Sequence, residues 1–273
     1  MKSRRLILSA SRRTDLPGFH GATCAERIRG RIKRMRTRRL AGVVFWTRHP
    51  KAFLAGGSLH DLVATELENP IVNLTVTGLG STALEPGTPS TKEVLRDLPK
   101  LVAAFHGEPW RIRWRFDPLL KAYSSPSAFT HIAHAMASLG ILTCTFSFPA
   151  YRSLKGDLTP QFERARIPRW RRSEKISFLK AIARTADDLG IELLSCSEPE
   201  NVELSSSVKT AQCIPVDVLE RGDPNKEPLA LCKDRSQRTH CRCVESEDIG
   251  DYERDRCKGG CVYCYSKAGG PSQ

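Results

Sequence analysis

The stretch GVVFWTR, residues 42–48, decides the fold of this chain, because an apolar run ends there in polar side chains. Its density of β-branched and aromatic residues favours a β-strand. Five further segments share this composition. The six segments are 6–12, 42–48, 71–78, 110–117, 141–148 and 191–198. The pattern therefore predicts six strands spread over the first 200 residues.

Segments with helical periodicity stand between these predicted strands. They cover residues 21–40, 58–68, 89–105, 125–140 and 173–190. The third carries Ser90 and Glu93 at the spacing of a capping box. Alternation of strand and helix predicts a parallel sheet with right-handed crossovers. Such a sheet is either a doubly wound open sheet or a partly closed barrel.

Polar side chains at the ends of the strands favour the barrel. The candidates among them for cofactor or substrate binding are Arg12, Arg13, Asp15, Thr47, Arg113, Arg115, Asp117 and Glu198. In α/β barrels several strand ends form the active site together, whereas a doubly wound sheet concentrates it at one switch point. The sequence contains no GxGxxG fingerprint and no P-loop. We therefore expect an α/β fold, a partial (β/α)6 TIM-like barrel, over residues 1–200.

Arginines are prominent among these candidates. Arg12 and Arg13 stand beside Asp15, where they bind either an anionic ligand or carboxylates of an internal salt-bridge network. Alternate positions of the fourth strand carry three more arginines, which share one face: Arg111, Arg113 and Arg115. Buried arginines are costly unless anions meet them. The carboxylates expected to do so are Asp15, Asp117 and Glu198.

The segment 201–273 differs from the rest of the chain. Regular periodicity fades there, and most of the ten cysteines lie in it. We expect a cysteine-rich C-terminal segment that is organised by metal rather than by a core of its own. It would dock on the rim of the barrel.

Three cysteines near the C-terminus, in CKGGCVYCY, are the strongest chemical signal. Cys257, Cys261 and Cys264 have the spacing C-x3-C-x2-C, with two glycines that let the loop curl tightly. A [4Fe–4S] cluster needs four outside ligands, so three thiolates leave one iron open. The alternative is a zinc site completed by a fourth ligand elsewhere. Zinc sites more often pair two C-x2-C units, so the spacing favours the cluster.

A second candidate metal group comprises Cys196, Cys213, Cys241 and Cys243. The last two form a C-x-C pair, which can clamp a metal from one extended stretch. The group predicts a second iron–sulfur cluster or a zinc ion. The alternative is ordinary buried thiols, which Cys24 and Cys144 resemble most. Cys232 could replace any of the four.

Charge and cysteine use indicate partners and compartment. The net charge of +13 indicates nucleic acid as a partner, unless it is simply a solvated basic surface. Basic residues around Trp170, between positions 164 and 172, suit stacking and phosphate contacts. No signal-peptide core and no apolar run of about 20 residues occurs, so we expect a cytoplasmic protein without membrane contact. In a reducing compartment, cysteines suggest metal binding before disulfides.

The spacing C-x3-C-x-aromatic-C resembles the cluster motif of radical S-adenosylmethionine (SAM) enzymes. The resemblance implies a [4Fe–4S] cluster on Cys257, Cys261 and Cys264, with the methionyl group of SAM on the fourth iron. It also implies that Tyr263 lies near the adenine, that the fold is a partial (β/α)6 barrel, and that a flavodoxin or ferredoxin supplies electrons. Two departures stand out. The motif follows all six strands instead of the first, and no GGE-like SAM-binding motif is present.

The segments SASRRTDLP, VVFWTRHP, TVTGLG, RWRFDP and CRCVESEDIGDY, together with CKGGCVYCY, resemble a bacterial family of unknown function. Its C-terminal cysteines are similar to the radical SAM cluster, and its members are labelled DNA repair photolyase-like. The resemblance implies an enzyme, a lyase or a transferase, that reductively cleaves SAM to act on an unknown substrate such as nucleic acid.

The rim residues then divide by expected role. Cofactor contacts are expected from Arg12, Arg13, Asp15 and Tyr263. Substrate contacts are expected from Thr47, Arg113, Arg115, Asp117 and Glu198. The competing interpretation is a non-catalytic nucleic-acid-binding protein stabilised by zinc or by an iron–sulfur cluster.

Overall fold

The computed structural model describes residues 5–35, 39–153, 156–224, 228–229 and 232–264. The strands are β1 (Leu6–Ala10), β2 (Leu40–Thr47), β3 (Pro70–Thr75), β4 (Ile112–Arg115), β5 (Thr143–Phe146), β6 (Arg152–Ser153), β7 (Gly156–Asp157), β8 (Glu192–Ser195), β9 (Val208–Thr210) and β10 (Glu247–Asp248). The α-helices are α1 (Leu16–Lys33), α2 (Thr91–Ala104), α3 (Pro126–Ser138), α4 (Thr159–Arg164), α5 (Arg172–Asp188), α6 (Pro199–Leu204) and α7 (Val216–Arg221). None of the helices in these ranges combines the length and apolarity that crossing a membrane requires.

The main sheet has eight strands in the order β10-β1-β2-β3-β4-β5-β8-β9, and all its pairings are parallel. All six predicted strands are present in it. Within this sheet, the strands from β1 to β5 and then β8 and β9 follow chain order, without the reversal that defines a doubly wound switch point. Within the described residues, β10 and β9 remain its two edges. The α/β class and the parallel sheet are therefore confirmed, whereas closure into a barrel is not.

The two faces of the sheet are covered by different parts of the chain. Leu8, Phe45 and Val72 belong to a core shared with α1, α2, α3 and α5. The neighbouring residues Ile7 and Val44 point the other way, as successive strand residues must. They pack against α7 and the 241–244 stretch. The cysteine-rich segment thus covers the second face of the sheet and also supplies both edge strands.

The helices largely follow the sequence prediction, with one exception. The capping box at Ser90 and Glu93 is confirmed at the start of α2. The predicted helix 58–68 is present only in part: residues 60–66 are helical and include a π-helical turn at Leu62–Glu66, and a 3-10 turn at Pro50–Phe53 precedes them. The Gly56–Gly57 pair stands in the turn between the two. Gly56 has a φ of +80°, and a Cβ on Gly57 would lie 2.5 Å from the carbonyl oxygen of Ala52.

Buried Asn69 ties the base of the sheet together. Its side-chain amide donates to the carbonyl oxygens of Ala41 and Leu219, each at 2.8 Å. Its side-chain oxygen accepts from Nη1 of Arg111 at 2.9 Å. One side chain therefore joins β2, α7 and the residue before β4. Buried polar groups of this kind are expensive to leave unpaired.

We predict that Asn69→Ala lowers the free energy of unfolding by about 3 kcal/mol, because it takes the side-chain donor from two buried carbonyl groups and removes one acceptor from Arg111. Urea denaturation measures this loss. The matched control is Glu68→Ala at the exposed neighbouring position, which should change the free energy by less than about 0.5 kcal/mol. Equal effects of the two substitutions would contradict the role given to Asn69.

Candidate functional site

The carboxyl ends of β1 and β2 meet at the carboxylate of Asp15. Its Oδ1 accepts from the Thr47 hydroxyl at 2.7 Å and from the Gly18 amide at 2.9 Å, which caps α1. Its Oδ2 accepts from the Arg48 amide and lies against Nδ1 of His49, both at 2.8 Å. Burial alone would raise the pKa of Asp15, but His49 and the other donors outweigh it and lower the pKa.

Glu85, in the loop after β3, is the centre of a second network. Its Oε1 accepts from the Thr77 hydroxyl at 2.7 Å and from the hydroxyl of Tyr263. Its Oε2 accepts from Nη1 of Arg48 at 2.8 Å, and Arg48 Nη2 also donates to the Tyr263 hydroxyl at 2.8 Å. The Glu85 side chain is only 1% exposed. The network therefore joins the ends of β2 and β3 to the C-terminal cysteine segment.

Backbone and side-chain hydrogen bonds continue this attachment along the segment. The Gly87 amide donates to the Gly259 carbonyl at 3.0 Å, and the Val262 amide donates to the Leu84 carbonyl at 3.1 Å. Upstream, the buried Asp255 carboxylate binds Arg27 of α1. The cysteine segment is therefore held against the carboxyl ends of β1, β2 and β3, although it follows every strand in sequence.

Two glycines permit this close approach. A Cβ on Gly87 would lie 2.5 Å from the Lys258 carbonyl oxygen, so a side chain there would push the segment away. Gly260 has a φ of +67°, a left-handed conformation that favours glycine. The curled loop predicted from the glycines of CKGGC is thus present.

The three thiols of the motif are half-buried and lie near one another. Burial raises the pKa of Cys261 to about 11, and the charges of Glu85, Cys264 and Cys257 act in the same direction, while Arg48 opposes them. The Gly259 amide donates to the sulfur of Cys257 at 3.5 Å. Burial raises the pKa of Cys257, and hydrogen bonds from the backbone of Asp15 and Gly259 lower it.

A groove of about 610 Å³ runs beside this loop. It is lined by the first turns of α1, by His49 and by Ser58. Phe19 lines the groove and would lie 3.7 Å from a Cβ on Gly259. Its volume is within the range of small-molecule sites.

The second cysteine group also gathers in space. The sulfurs of Cys196 and Cys213 are 3.8 Å apart, and the Cys213 amide donates to the sulfur of Cys243 at 3.1 Å. The Cys243 amide in turn donates to the sulfur of Cys241 at 3.5 Å. Hydrogen bonds from Cys196 and Cys243, with the nearby Arg115, hold the pKa of Cys213 well below its usual range.

Neither cysteine group is arranged as a finished site for a single ion. Across the described ranges, no set of three or more His, Cys, Asp or Glu side chains has positions that could hold a metal ion. Cys24 and Cys144 are buried in the helix-side core, as expected. Cys232 is exposed, and its carbonyl accepts from the Glu245 amide at 3.0 Å, beside the 241–244 stretch.

The arginines of the fourth predicted strand have three different environments. Arg111 binds Glu108 and Asn69. Arg115 binds Asp117 and donates to the sulfur of Cys213 at 3.2 Å. Buried Arg113 has no hydrogen-bond partner for its Nε in the part of the chain that the structure describes. Asp117 is thus confirmed as a partner of Arg115.

The expectation that Asp15 and Glu198 also pair with these arginines is wrong. Asp15 is held by the ends of β1 and β2, as described above. The Glu198 carboxylate accepts from the backbone amide of Phe148 at 2.8 Å and from the side-chain amide of Asn201 at 3.0 Å. Burial raises the pKa of Glu198 to about 7, against the effect of these donors.

The first two rim arginines contact the C-terminal segment. Arg12 donates to Ser246 at 3.2 Å and lies 3.6 Å from a carboxylate oxygen of Asp234. Arg13 stacks over the ring of Tyr252 at 4.9 Å. These contacts correspond to the internal network rather than to ligand binding. Cofactor contacts by Arg12, Arg13, Asp15 and Tyr263 remain predictions, as do substrate contacts by Thr47, Arg113, Arg115, Asp117 and Glu198.

Trp170 is half-buried and is anchored to the body of the protein. Its indole nitrogen donates to the Leu119 carbonyl at 2.8 Å. Its ring packs edge-on against Phe148 and Phe178, with centroids 5.3 and 5.2 Å away. The ring also lines a groove of about 410 Å³ together with Phe178, and stacking of a nucleotide on it stays a prediction.

Sequence reasoning missed Glu85, and it placed His49 at the end of the second strand without giving it a role. Glu85 is the one charged residue in the stretch GLGSTALEPGTPST, residues 78–91. A single carboxylate in an otherwise uncharged, turn-rich loop could have indicated a functional or structural role for Glu85, because the rest of the loop contains no charged residue. His49 adjoins the predicted rim, and nothing in its spacing indicates its partner Asp15.

We predict that Glu85→Gln accelerates hydrogen exchange of the Val262 amide by about tenfold or more, since it removes charge-assisted bonds to Arg48 and Tyr263. Hydrogen exchange read by mass spectrometry on a peptide covering the cysteine loop measures the change. Glu93→Gln, in the capping box of α2, is the control and should leave this peptide unaffected. Unchanged exchange in Glu85→Gln would show that the loop is held by other contacts.

Comparison with known proteins identifies the family and little else. No curated protein matches the chain. Among solved structures, the carboxyl transferase domain from Rhizobium etli pyruvate carboxylase is 11% identical with a TM-score of 0.27, covering 77% of this chain and 40% of that one. The chain thus spans less than half of that neighbour, and a likeness this weak supports no conclusion. The family described as domain of unknown function DUF1848 matches residues 7–266, so the chain belongs to the DUF1848 family.

Proposed function

We propose that this protein is an iron–sulfur enzyme of the radical SAM type, with a [4Fe–4S] cluster on Cys257, Cys261 and Cys264. The observation that carries the proposal is the position of these cysteines. The Gly87–Gly259 and Leu84–Val262 backbone bonds attach their loop to the segment after β3. Tyr263 attaches it to Arg48 at the end of β2, and the Thr14 hydroxyl, after β1, donates to the Asp255 carbonyl at 2.7 Å. In parallel α/β sheets this edge is where ligands bind.

The surroundings of the three thiols suit an anionic cluster. Backbone amides that point at the sulfurs stabilise bound thiolates. Cys257 receives such bonds from Gly259 and from the backbone of Asp15. The guanidinium of Arg48 acts on Cys261 from the other side and favours its charged form. Each cysteine of a [4Fe–4S] cluster binds a different iron. The three cysteine sulfurs therefore need not point at one common position, as the ligands of a single ion must.

The chain's own residues would position and protect this centre. When bound, the cluster would supply the electron that reductively cleaves SAM. The Glu85 network fixes Tyr263, which directly precedes Cys264 in sequence, and Gly260 sets the bend of the loop between Cys257 and Cys261. The groove lined by Phe19 and His49 lies beside the loop and has room for a small molecule. Within it, His49 and Ser58 are polar groups that would orient the ligand.

The substrate is proposed here only as a chemical class, a polyanion. The net charge of +13 favours a polyanion such as nucleic acid. Half-buried Trp170 and the basic residues between positions 164 and 172 would contact its bases and phosphates. A flavodoxin or ferredoxin would be the electron donor.

The test is anaerobic reconstitution with iron and sulfide, followed by reduction with dithionite and addition of SAM. We expect about four irons per chain on the motif, an EPR signal that changes when SAM is added, and formation of 5′-deoxyadenosine. Cys261→Ala should abolish the SAM-dependent change. Cys232→Ala, which removes an exposed cysteine outside both groups, should retain it.

Two results would overturn this function. Stoichiometric zinc on the three cysteines with no uptake of iron would favour the non-catalytic metal-stabilised alternative. A reducible cluster whose EPR signal ignores SAM would indicate an electron-transfer or sensor protein instead.

A further inference from the structure

We propose that Cys196, Cys213, Cys241 and Cys243 bind one zinc ion as a tetrathiolate site. This site is separate from the Cys257 motif and does not depend on the function proposed above. It lies where β8 and β9 end and where the 241–244 stretch covers the second face of the sheet. The role of the ion would be to join these three pieces of chain.

The spacing of two sulfurs is the first argument. Zinc binds thiolate sulfur at about 2.3 Å in a tetrahedral arrangement, which places two bound sulfurs about 3.8 Å apart. The sulfurs of Cys196 and Cys213 are separated by 3.8 Å. A pair at this distance suits one shared ion. A cubane would instead put each cysteine on a different iron, with wider spacing.

The remaining two sulfurs are adjacent to this pair. The sulfur of Cys243 accepts from the Cys213 amide at 3.1 Å, and that of Cys241 accepts from the Cys243 amide at 3.5 Å. The four sulfurs therefore form a connected chain rather than a closed tetrahedron, in agreement with the lack of a ready-made ion position. Rotation of side chains, without movement of the sheet, would bring Cys241 and Cys243 onto the same ion.

Charge balance is the second and independent argument. Arg113 is 5% exposed, and its Nε has no hydrogen-bond partner among the described residues. Burying a guanidinium without a counter-charge is costly. A zinc ion with four thiolates carries a net charge of −2, which would provide an anion on this side of the sheet. Burial lowers the pKa of Arg113, whereas Asp217, Cys213 and Glu192 favour its charged form, so the thiolates would add to the charge that Asp217 already provides.

Neighbouring side chains already support the first cysteine pair. Arg115 donates to the sulfur of Cys213 at 3.2 Å, as an outer-shell donor to a metal-bound thiolate does. The side-chain amide of Asn73 donates to the Cys213 carbonyl at 3.1 Å and fixes the backbone there. These contacts hold Cys213 toward the interior of the site. Cys213 would therefore be the ligand on which zinc affinity depends most.

The test measures zinc in the purified chain by mass spectrometry. A variant with Cys257, Cys261 and Cys264 all changed to Ser removes the other motif and should still contain about one zinc per chain. Cys213→Ser and Cys243→Ser should lose it, and the exposed-site control Cys232→Ser should keep it. Arg113→Gln should weaken zinc binding by about tenfold or more but keep the stoichiometry of one zinc per chain, because it removes a positive charge that faces the anionic zinc–thiolate group.

Cobalt separates loss of metal from loss of fold. Chelator-treated protein that remains folded by circular dichroism should take up one equivalent of Co²⁺, with thiolate charge-transfer and tetrahedral ligand-field bands. The same titration on Cys213→Ser should show neither.

Several results would overturn the proposal. They are zinc that survives in Cys213→Ser, iron in place of zinc at these four cysteines, or a Cys196–Cys213 disulfide with no metal uptake after reduction. Failure of the SAM assay would leave this test unaffected, because its readout is metal content in a variant without the Cys257 motif.

Discussion

The carboxylate of Glu85 is the interaction on which the arrangement of the candidate site depends. It is almost fully buried and binds Arg48, Thr77 and Tyr263 together. A buried charge of this kind is stable only while its partners stay in place, and removing one partner typically costs about 3–5 kcal/mol. The position of the cysteine loop is therefore fixed by a network that begins at the end of β2. Without it, the cysteine loop would be attached mainly by backbone bonds.

The parallel sheet positions the residues of this network. In the main sheet, β1 to β5, β8 and β9 follow one another in order and direction, so their carboxyl ends lie side by side at the same end of the sheet. A cysteine motif that follows all the strands in sequence can reach the same edge as one that follows the first strand. The intervening segment reaches it by covering the second face of the sheet and by adding β10 beside β1. The late position of the motif is thus compatible with a site at the strand ends.

Composition and periodicity predicted the six central strands, most of the helices and the cluster of polar strand ends. These features depend on local pattern, which the sequence contains directly. The edge strands β9 and β10 are only three and two residues long, too short to leave a periodic signal. Helix 58–68 was predicted too long, and its π-helical turn at Leu62–Glu66 was not predicted, because apolar spacing over so few residues does not distinguish it from an α-helix. The partners of Glu85 and His49 lie far away in sequence, and no local pattern encodes a contact such as Glu85 with Tyr263. Family membership followed from motifs spread over the whole chain and was confirmed.

The central claim is that Cys257, Cys261 and Cys264 bind a cluster at the carboxyl ends of β1, β2 and β3. Anomalous scattering at the iron edge, from crystals of anaerobically reconstituted protein, tests it most directly. The account predicts an iron cluster bonded to these three sulfurs, beside Asp15 and Arg48, with one iron that has no protein ligand. Iron bound elsewhere, or a fourth protein thiolate closing the cluster, would contradict it.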